Sequence, residues 1–347
     1  MTTKRISTGW RAFSTFAESS YGSPATLDTT LNFEGAPTDV EPNQTQNDEK
    51  EVTGYVEASQ HETLNWKLEG AHKQRAMPHN VALFAGLVLG KVTSDQPDDV
   101  NDPDVYRHYI ERDLTSPEMK SVTMAEFDGV AQKRYAGIFC KSLKLSGARG
   151  DFLKLEASFG GMGKEEASAI SMPGKVAESY LRYGDVEFTR GGSLTGSVAA
   201  GDLALGSSPT SLKGVLLSFD YSVNADPKTL YEMGDNSGYV SRVERGERWK
   251  HELSATFEMA DDDHKNALKN GTEYVLNLPI RGAIIGGGSD TLSYEVDLIF
   301  PRAVYREARK ELEGDVVVVK SQFQILESAT YGSVIIKAQN KQASYLA

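Results

Sequence analysis

A chain of 347 residues is long enough for one large domain or two of ordinary size, and 39% hydrophobic and 25% charged residues are globular values. A formal net charge of -12 excludes an ordinary nucleic-acid binder, whose affinity comes from Lys and Arg displacing phosphate counterions. The single cysteine, Cys140, excludes an internal disulfide and a multi-thiolate metal site, and no apolar run reaches the roughly 18 residues that cross a bilayer. The acidic balance then has two readings: solubility, or a surface that lies beside DNA and does not stick to it.

The opening MTTKRISTGWRAF has basic residues but no apolar stretch behind them, so it does not read as a secretory signal peptide. Residues 1–60 read as an arm. Phe13, Phe16, Tyr21 and Leu31 keep no sustained period, and residues 35–50 (GAPTDVEPNQTQNDEK) are polar with two prolines. Such a stretch does not bury itself, so it is either flexible or ordered by a neighbour.

Leu64, Trp66 and Leu68 alternate with Thr63, Asn65 and Lys67, which predicts a strand ending at Gly70. Pro78 opens a buried helix through Val81, Leu83, Phe84, Leu87 and Val88, stopped by Gly90. Residues 94–134 are acidic and proline-containing, a long exposed excursion with a short strand at 105–110. Asp102, Asp104, His108 and Glu111 lie there as conceivable metal ligands. No second His stands at ligand spacing, so a solvated loop is the simpler reading.

Residues 135–161 form a hairpin, KSLKLSG out and FLKLEASF back, with Cys140 as a small buried hydrophobe. Its turn contains Arg149-Gly150-Asp151, a triplet that resembles a cell-adhesion tripeptide but sits where a hairpin needs Gly. Residues 160–211 have linker composition, interrupted by one strand near 186–189.

The apolar rhythm of that hairpin returns in residues 214–224 and 249–259. Leu253, Ala255, Phe257 and Met259 point one way, while Glu252, Ser254, Thr256 and Glu258 form a polar face. Asp261, Asp262 and Asp263 start a short helix that Gly271 stops. Tyr274 to Ile280 alternate next, and after the Gly286-Gly287-Gly288 turn so do Leu292 to Phe300. Further strands follow at 303–307, 316–325 and 333–339, and QNKQASYLA reads as a polar tail. Two strand-rich halves, 61–161 and 212–340, joined by a Gly/Ser-rich insertion 162–211, predict a mainly β fold of two packed antiparallel sheets with a flanking helix.

No P-loop, dinucleotide fingerprint, G-x-S-x-G elbow or H-E-x-x-H motif is present, and the six histidines are dispersed. Neither an enzyme nor a cofactor or metal site is expected.

Four segments in order carry a resemblance: ESSYGSPA (18–25), FAGLVLG (84–90), GERWKHELSATFEM (246–259) and ALKNGTEYVLNLPI (267–280). Together the chain resembles the major tail tube proteins of long-tailed, siphovirus-like bacteriophages, and the likeness covers most of its length. The resemblance implies a β sandwich or barrel with a flanking helix, and rings, often hexameric, that stack into a tube for genome delivery. Its implied partners are copies of itself and the tape measure, terminator and baseplate or tip proteins. The resemblance also implies that DNA passes through the lumen without specific binding. The implied location is the virion tail, assembled in the host cytoplasm. An N-terminal arm and a long loop commonly reach the neighbouring ring in this family, which makes Phe13, Phe16, Tyr21 and Pro24 assembly-arm candidates. Glu252 and Glu258 become lumen candidates, with an ordinary solvated face as the alternative. The excursions at 35–55, 94–131 and 160–211 have no obvious counterpart in compact members. Other readings are a ring-forming secretion tube or tail terminator component, or a soluble β-sandwich binding module. The last would call for a row of aromatics, and Trp10, Trp66 and Trp249 stand apart in sequence.

Overall fold

Alternating apolar and polar residues become strands along most of the chain in a computed structural model that describes residues 9–27, 41–48, 61–127, 131–167, 174, 176–233, 237–259, 261–285 and 292–347. From the N-terminal side come β1 (Trp10–Phe13), β2 (Glu41–Asp48), β3 (His61–Arg75) and helix α1 (Pro78–Leu89). Next are β4 (Gly90–Asp95), β5 (Tyr106–Arg112), β6 (Val122–Phe127), β7 (Gln132–Ala148), β8 (Lys154–Gly161) and β9 (Glu165–Ala167). The Gly/Ser-rich stretch holds β10 (Thr189–Arg190), β11 (Ser193–Thr195), β12 (Ala204–Gly206) and β13 (Thr210–Ser211). Then follow β14 (Leu216–Asn224), β15 (Lys228–Leu230), β16 (Arg242–Glu244), β17 (Lys250–Glu258) and α2 (Asp263–Asn270). The last are β18 (Glu273–Ile284), β19 (Ser293–Glu313), β20 (Val316–Ile325) and β21 (Ile335–Asn340).

The architecture is mainly β and sandwich-like, with large antiparallel sheets and no closed barrel among the described residues. A front sheet runs β2-β3-β8-β7-β14-β17-β20-β19, every neighbour antiparallel. A rear sheet runs β13-β10-β18-β19-β21-β5-β4. A smaller one runs β1-β6-β7-β9. β19 belongs to front and rear, changing register between Tyr305 and Glu307, and β7 leaves the small sheet for the front one through a shift between Cys140 and Ser142. Bulges of this kind bend a strand and let it pass from one sheet to another.

Helix α1 packs against β4, β5, β7, β19 and β21, and all twelve of its residues are buried. PHNVALFAGLVL is apolar on every side, so a central position suits it better than a surface one. Pro78 opens it, the Asn80 side chain accepts the Met77 N–H at 2.9 Å, and Glu178 accepts the His79 N–H at 2.9 Å. Gly90, at φ 97°, ends it in the left-handed conformation that a residue with a Cβ resists. Phe84 meets Phe13 at 5.2 Å and Phe159 at 5.3 Å between ring centres, within one core cluster fed by both sheets.

Four stretches depart from the expectations drawn from composition. Residues 10–27 lie on the chain's own body, because β1 completes the margin of β6 and Phe13 fills the core. The acidic excursion contains two strands, β5 where one was expected and β6 where none was. The Gly/Ser-rich insertion sends Leu181, Val186 and Phe188 into the core, so it is not a linker throughout. The polar-looking tail buries Tyr345 and Leu346 against α1, with the Leu346 N–H donating to Thr15 O at 2.7 Å. Leu31, residues 35–40 and the Gly286-Gly287-Gly288 turn lie outside the described residues.

Candidate assembly and channel surfaces

Residues facing one another across antiparallel strands share a side of the sheet, so the register gives the outer face of the front sheet directly. One row reads Glu252, Ser222, Lys144, Glu156, Lys73 across five strands. The next reads Gln322, Ser254, Asp220, Ser146, Lys154, Arg75. All these side chains are exposed or half-buried, while Leu253, Ala255 and Phe257 between them are buried. Both lumen candidates, Glu252 and Glu258, are exposed on this face. A groove of about 600 Å³ crosses it, lined by Lys144, Asp220, Glu252, Arg306 and Gln322 among others.

The lysines of this face are not bare. Lys73 lies 2.9 Å from Glu156, Lys144 2.9 Å from Asp220, Lys154 2.7 Å from Asp151 and Lys250 3.2 Å from Asp226. Lys320 sits between Glu311 at 2.6 Å and Glu313 at 3.0 Å, and at the lower edge Lys141 and Lys67 share Glu69 at 2.6 and 3.3 Å. Arg75 instead lies over the rings of Phe152 and Tyr180, at 4.4 and 5.2 Å. Glu252, Glu258 and Arg306 form no ion pair with any described residue.

The four arm candidates divide. Phe13 is fully buried, and Tyr21 packs against Gly137 and Met162, where burial, with Glu18 nearby, pushes its phenol up. Phe16, 44% exposed, and Pro24 face outward. Glu18 explains why the ESSYGSPA segment lies flat. Its carboxylate accepts from Ser121 Oγ at 2.7 Å, Thr123 Oγ1 at 2.8 Å, Gly137 N at 2.9 Å and Gly22 N at 3.0 Å.

Other singled-out residues stay apart. His108 is buried between Ser94 Oγ at 2.8 Å and Asn340 Oδ1 at 3.2 Å, and burial pushes its imidazole down to about 4. Glu111 pairs with Lys91, Asp102 is buried and Asp104 exposed, and no cluster able to hold a metal ion occurs among the described residues. Asp151 of the Arg-Gly-Asp turn accepts from the Phe152 N–H at 2.8 Å and pairs with Lys154. The thiol of Cys140 is buried and pushed up by desolvation.

Two features carried no sequence signal. The β19–β20 tip projects past Glu258, where β17 stops pairing, and exposes Leu312 at 70%, Val316 at 42% and Val317 at 44%. Behind the rear sheet, Lys337 reaches Asp297 at 2.9 Å and Glu295 at 3.3 Å. Burial, opposed by Lys337 and reinforced by Glu295, pushes the Asp297 carboxyl up to about 7. Asp297 Oδ1 has no donor, which fits a carboxyl that keeps its proton and offers it to Glu295.

A family model described as phage tail tube protein matches residues 11–327. Comparison with curated proteins gives no match.

Proposed function

The chain belongs to the phage tail tube protein family, and from that premise we propose that its copies close into rings that stack as the conduit for genome delivery. Its role is that of a structural component of the phage tail, in a family that is not one of enzymes. The observation that supports a channel is the front sheet, one side on the core and the other an exposed polar wall. Its eight strands, about 38 Å across at 4.8 Å each, alternate in direction throughout. With an even number, the marginal strands β2 and β19 run oppositely, so copies set side by side continue the antiparallel order. Closing a sheet about an axis also removes the edges that would otherwise template aggregation.

In this reading Glu252 and Glu258 face the channel, and the Leu312, Val316 and Val317 tip is covered by another copy. Phe16 and Pro24 are the arm candidates placed to touch a neighbour, while Phe13 and Tyr21 anchor the segment that presents them. Ring assembly takes place in the host cytoplasm, and the tape measure, terminator and baseplate or tip proteins meet the tube at its bore and ends. Duplex DNA traverses it without sequence-specific contacts.

Negative-stain microscopy and size-exclusion chromatography of the purified protein over a concentration series test the reading. Stacked rings are expected. Rings that never stack favour a terminator or secretion-type component, and a monomer persisting at high concentration overturns ring formation.

A further inference from the structure

We propose that the front-sheet wall lets duplex DNA slide because each of its lysines is already held by a carboxylate of the same subunit, and not because the wall is strongly acidic. The inference rests on the channel reading above for the identity of the face, and its chemistry stands on the ion pairs.

Lysine binds DNA by displacing mobile counterions from phosphate, and the release of those ions drives association. A phosphate approaching Lys144 meets Asp220 2.9 Å from the ammonium, and one approaching Lys73 meets Glu156 at the same distance. The carboxylate is bonded into the sheet and repels the phosphate while it neutralises the lysine. Beyond a few ångströms the pair acts as a dipole, and salt screens what remains within about 8–10 Å. Exposed pairs of this kind add only about 0–1 kcal/mol to folding, so their larger effect is on what the wall offers to a visitor.

Between the pairs stand Ser146, Ser222, Ser254 and Gln322, neutral groups that are exposed or half-buried. The charges left over, Glu252, Glu258 and Glu307 against Arg306 and the ring-stacked Arg75, nearly cancel. The chain's net charge of -12 therefore resides elsewhere, as in residues 28–62, where nine carboxylates accompany one lysine. A wall whose lysines are all paired, and whose two unpaired arginines are offset by neighbouring glutamates, neither grips a duplex nor holds it off.

Two near-isosteric double variants separate masking from repulsion. Glu156→Gln with Asp220→Asn frees Lys73 and Lys144, whereas Glu252→Gln with Glu258→Gln removes two of the unpaired carboxylates and frees no lysine. The readout is retention of a fluorescent 30-bp duplex by the purified full-length protein, by anisotropy when soluble and by cosedimentation when assembled. The wild type and Glu252/Glu258 variant are expected to retain none. The Glu156/Asp220 variant should bind, with affinity falling about tenfold between 50 and 200 mM salt, as two freed lysines dictate. Adding Lys73→Gln and Lys144→Gln to it should abolish the binding. Retention by the wild type, equal retention by the Glu252/Glu258 variant, or none by the Glu156/Asp220 variant with an unchanged circular dichroism spectrum overturns the proposal. Absence of rings in micrographs bears on the tube reading, while duplex retention by the soluble protein still decides whether the lysines are masked.

Discussion

The Tyr345 hydroxyl lies 2.6 Å from His79 Nδ1 and accepts the Asn340 side-chain amide at 2.8 Å, tying the segment after β21 to the first turn of α1. Asn340 Oδ1 faces His108 Nε2 at 3.2 Å, so a buried polar chain runs from α1 through β21 to β5. Tyr345→Phe removes the hydroxyl and with it the hydrogen bonds to His79 and Asn340 in a buried site, a loss of about 1–3 kcal/mol. Urea unfolding should show a lower midpoint with an unchanged slope.

Phe13 and Phe16 should separate folding from assembly. Phe13→Ala opens a cavity against Phe84 and Phe159 and should cost about 3–5 kcal/mol. Phe16→Ala should leave thermal stability within about 0.5 kcal/mol and weaken ring formation, measured by sedimentation. Equal stability losses would return Phe16 to a purely structural role.

Leu312→Ser with Val317→Ser tests the projecting tip. Both side chains face each other across β19 and β20 and are exposed, so the monomer should melt as before. Assembled particles should be reduced or absent in micrographs.

Asp297 gives a pH dependence of definite sign. Its carboxyl sits at about 7 in the fold against 3.8 ordinarily, so the stability it contributes is full below about 3.8 and is lost as pH rises through about 7. Asp297→Asn escapes that loss. Relative to wild type, the variant should gain about 2–3 kcal/mol between pH 5 and 7, since each unit is worth about 1.4 kcal/mol. A difference independent of pH would refute a protonated Asp297.

The histidines act in the opposite sense. Burial holds His72 at about 3, with Arg11 adding to the effect, and keeps His108 and His251 at about 4, all below the usual 6.5. Their stability is present above pH 6.5 and is lost as pH falls toward 4, because the unfolded chain takes up protons that the fold refuses. Near pH 5 these three should take up about three protons on unfolding and Asp297 release about one, so stability should rise with pH there. Urea midpoints at pH 5 and 6 check the slope.

Strict alternation made β17, β18 and the first half of β19 legible in the sequence, and so did the helix between Pro78 and Gly90. Four-residue β1 offers too few residues for a period, so Phe13 looked stray although it is a core side chain. The strand expected near 186–189 picked out Val186 and Phe188, but Leu181 was missed, since composition averages over a window and burial acts on single residues. Tyr345 and Leu346 are two apolar residues in a polar tail, buried by a slot that exists only in three dimensions. Of the candidate surface, the polar row of β17 was readable. The masking of Lys144 by Asp220 and of Lys73 by Glu156 was not, because pairing across strands depends on register.

β19 contributes backbone hydrogen bonds to the front sheet and to the rear sheet within 21 residues. Peeling one layer from the other therefore means breaking a continuous covalent girder, not merely parting two greasy surfaces. In the proposed tube, hoop stress would be shared by both layers of the subunit, which stiffens it without extra mass.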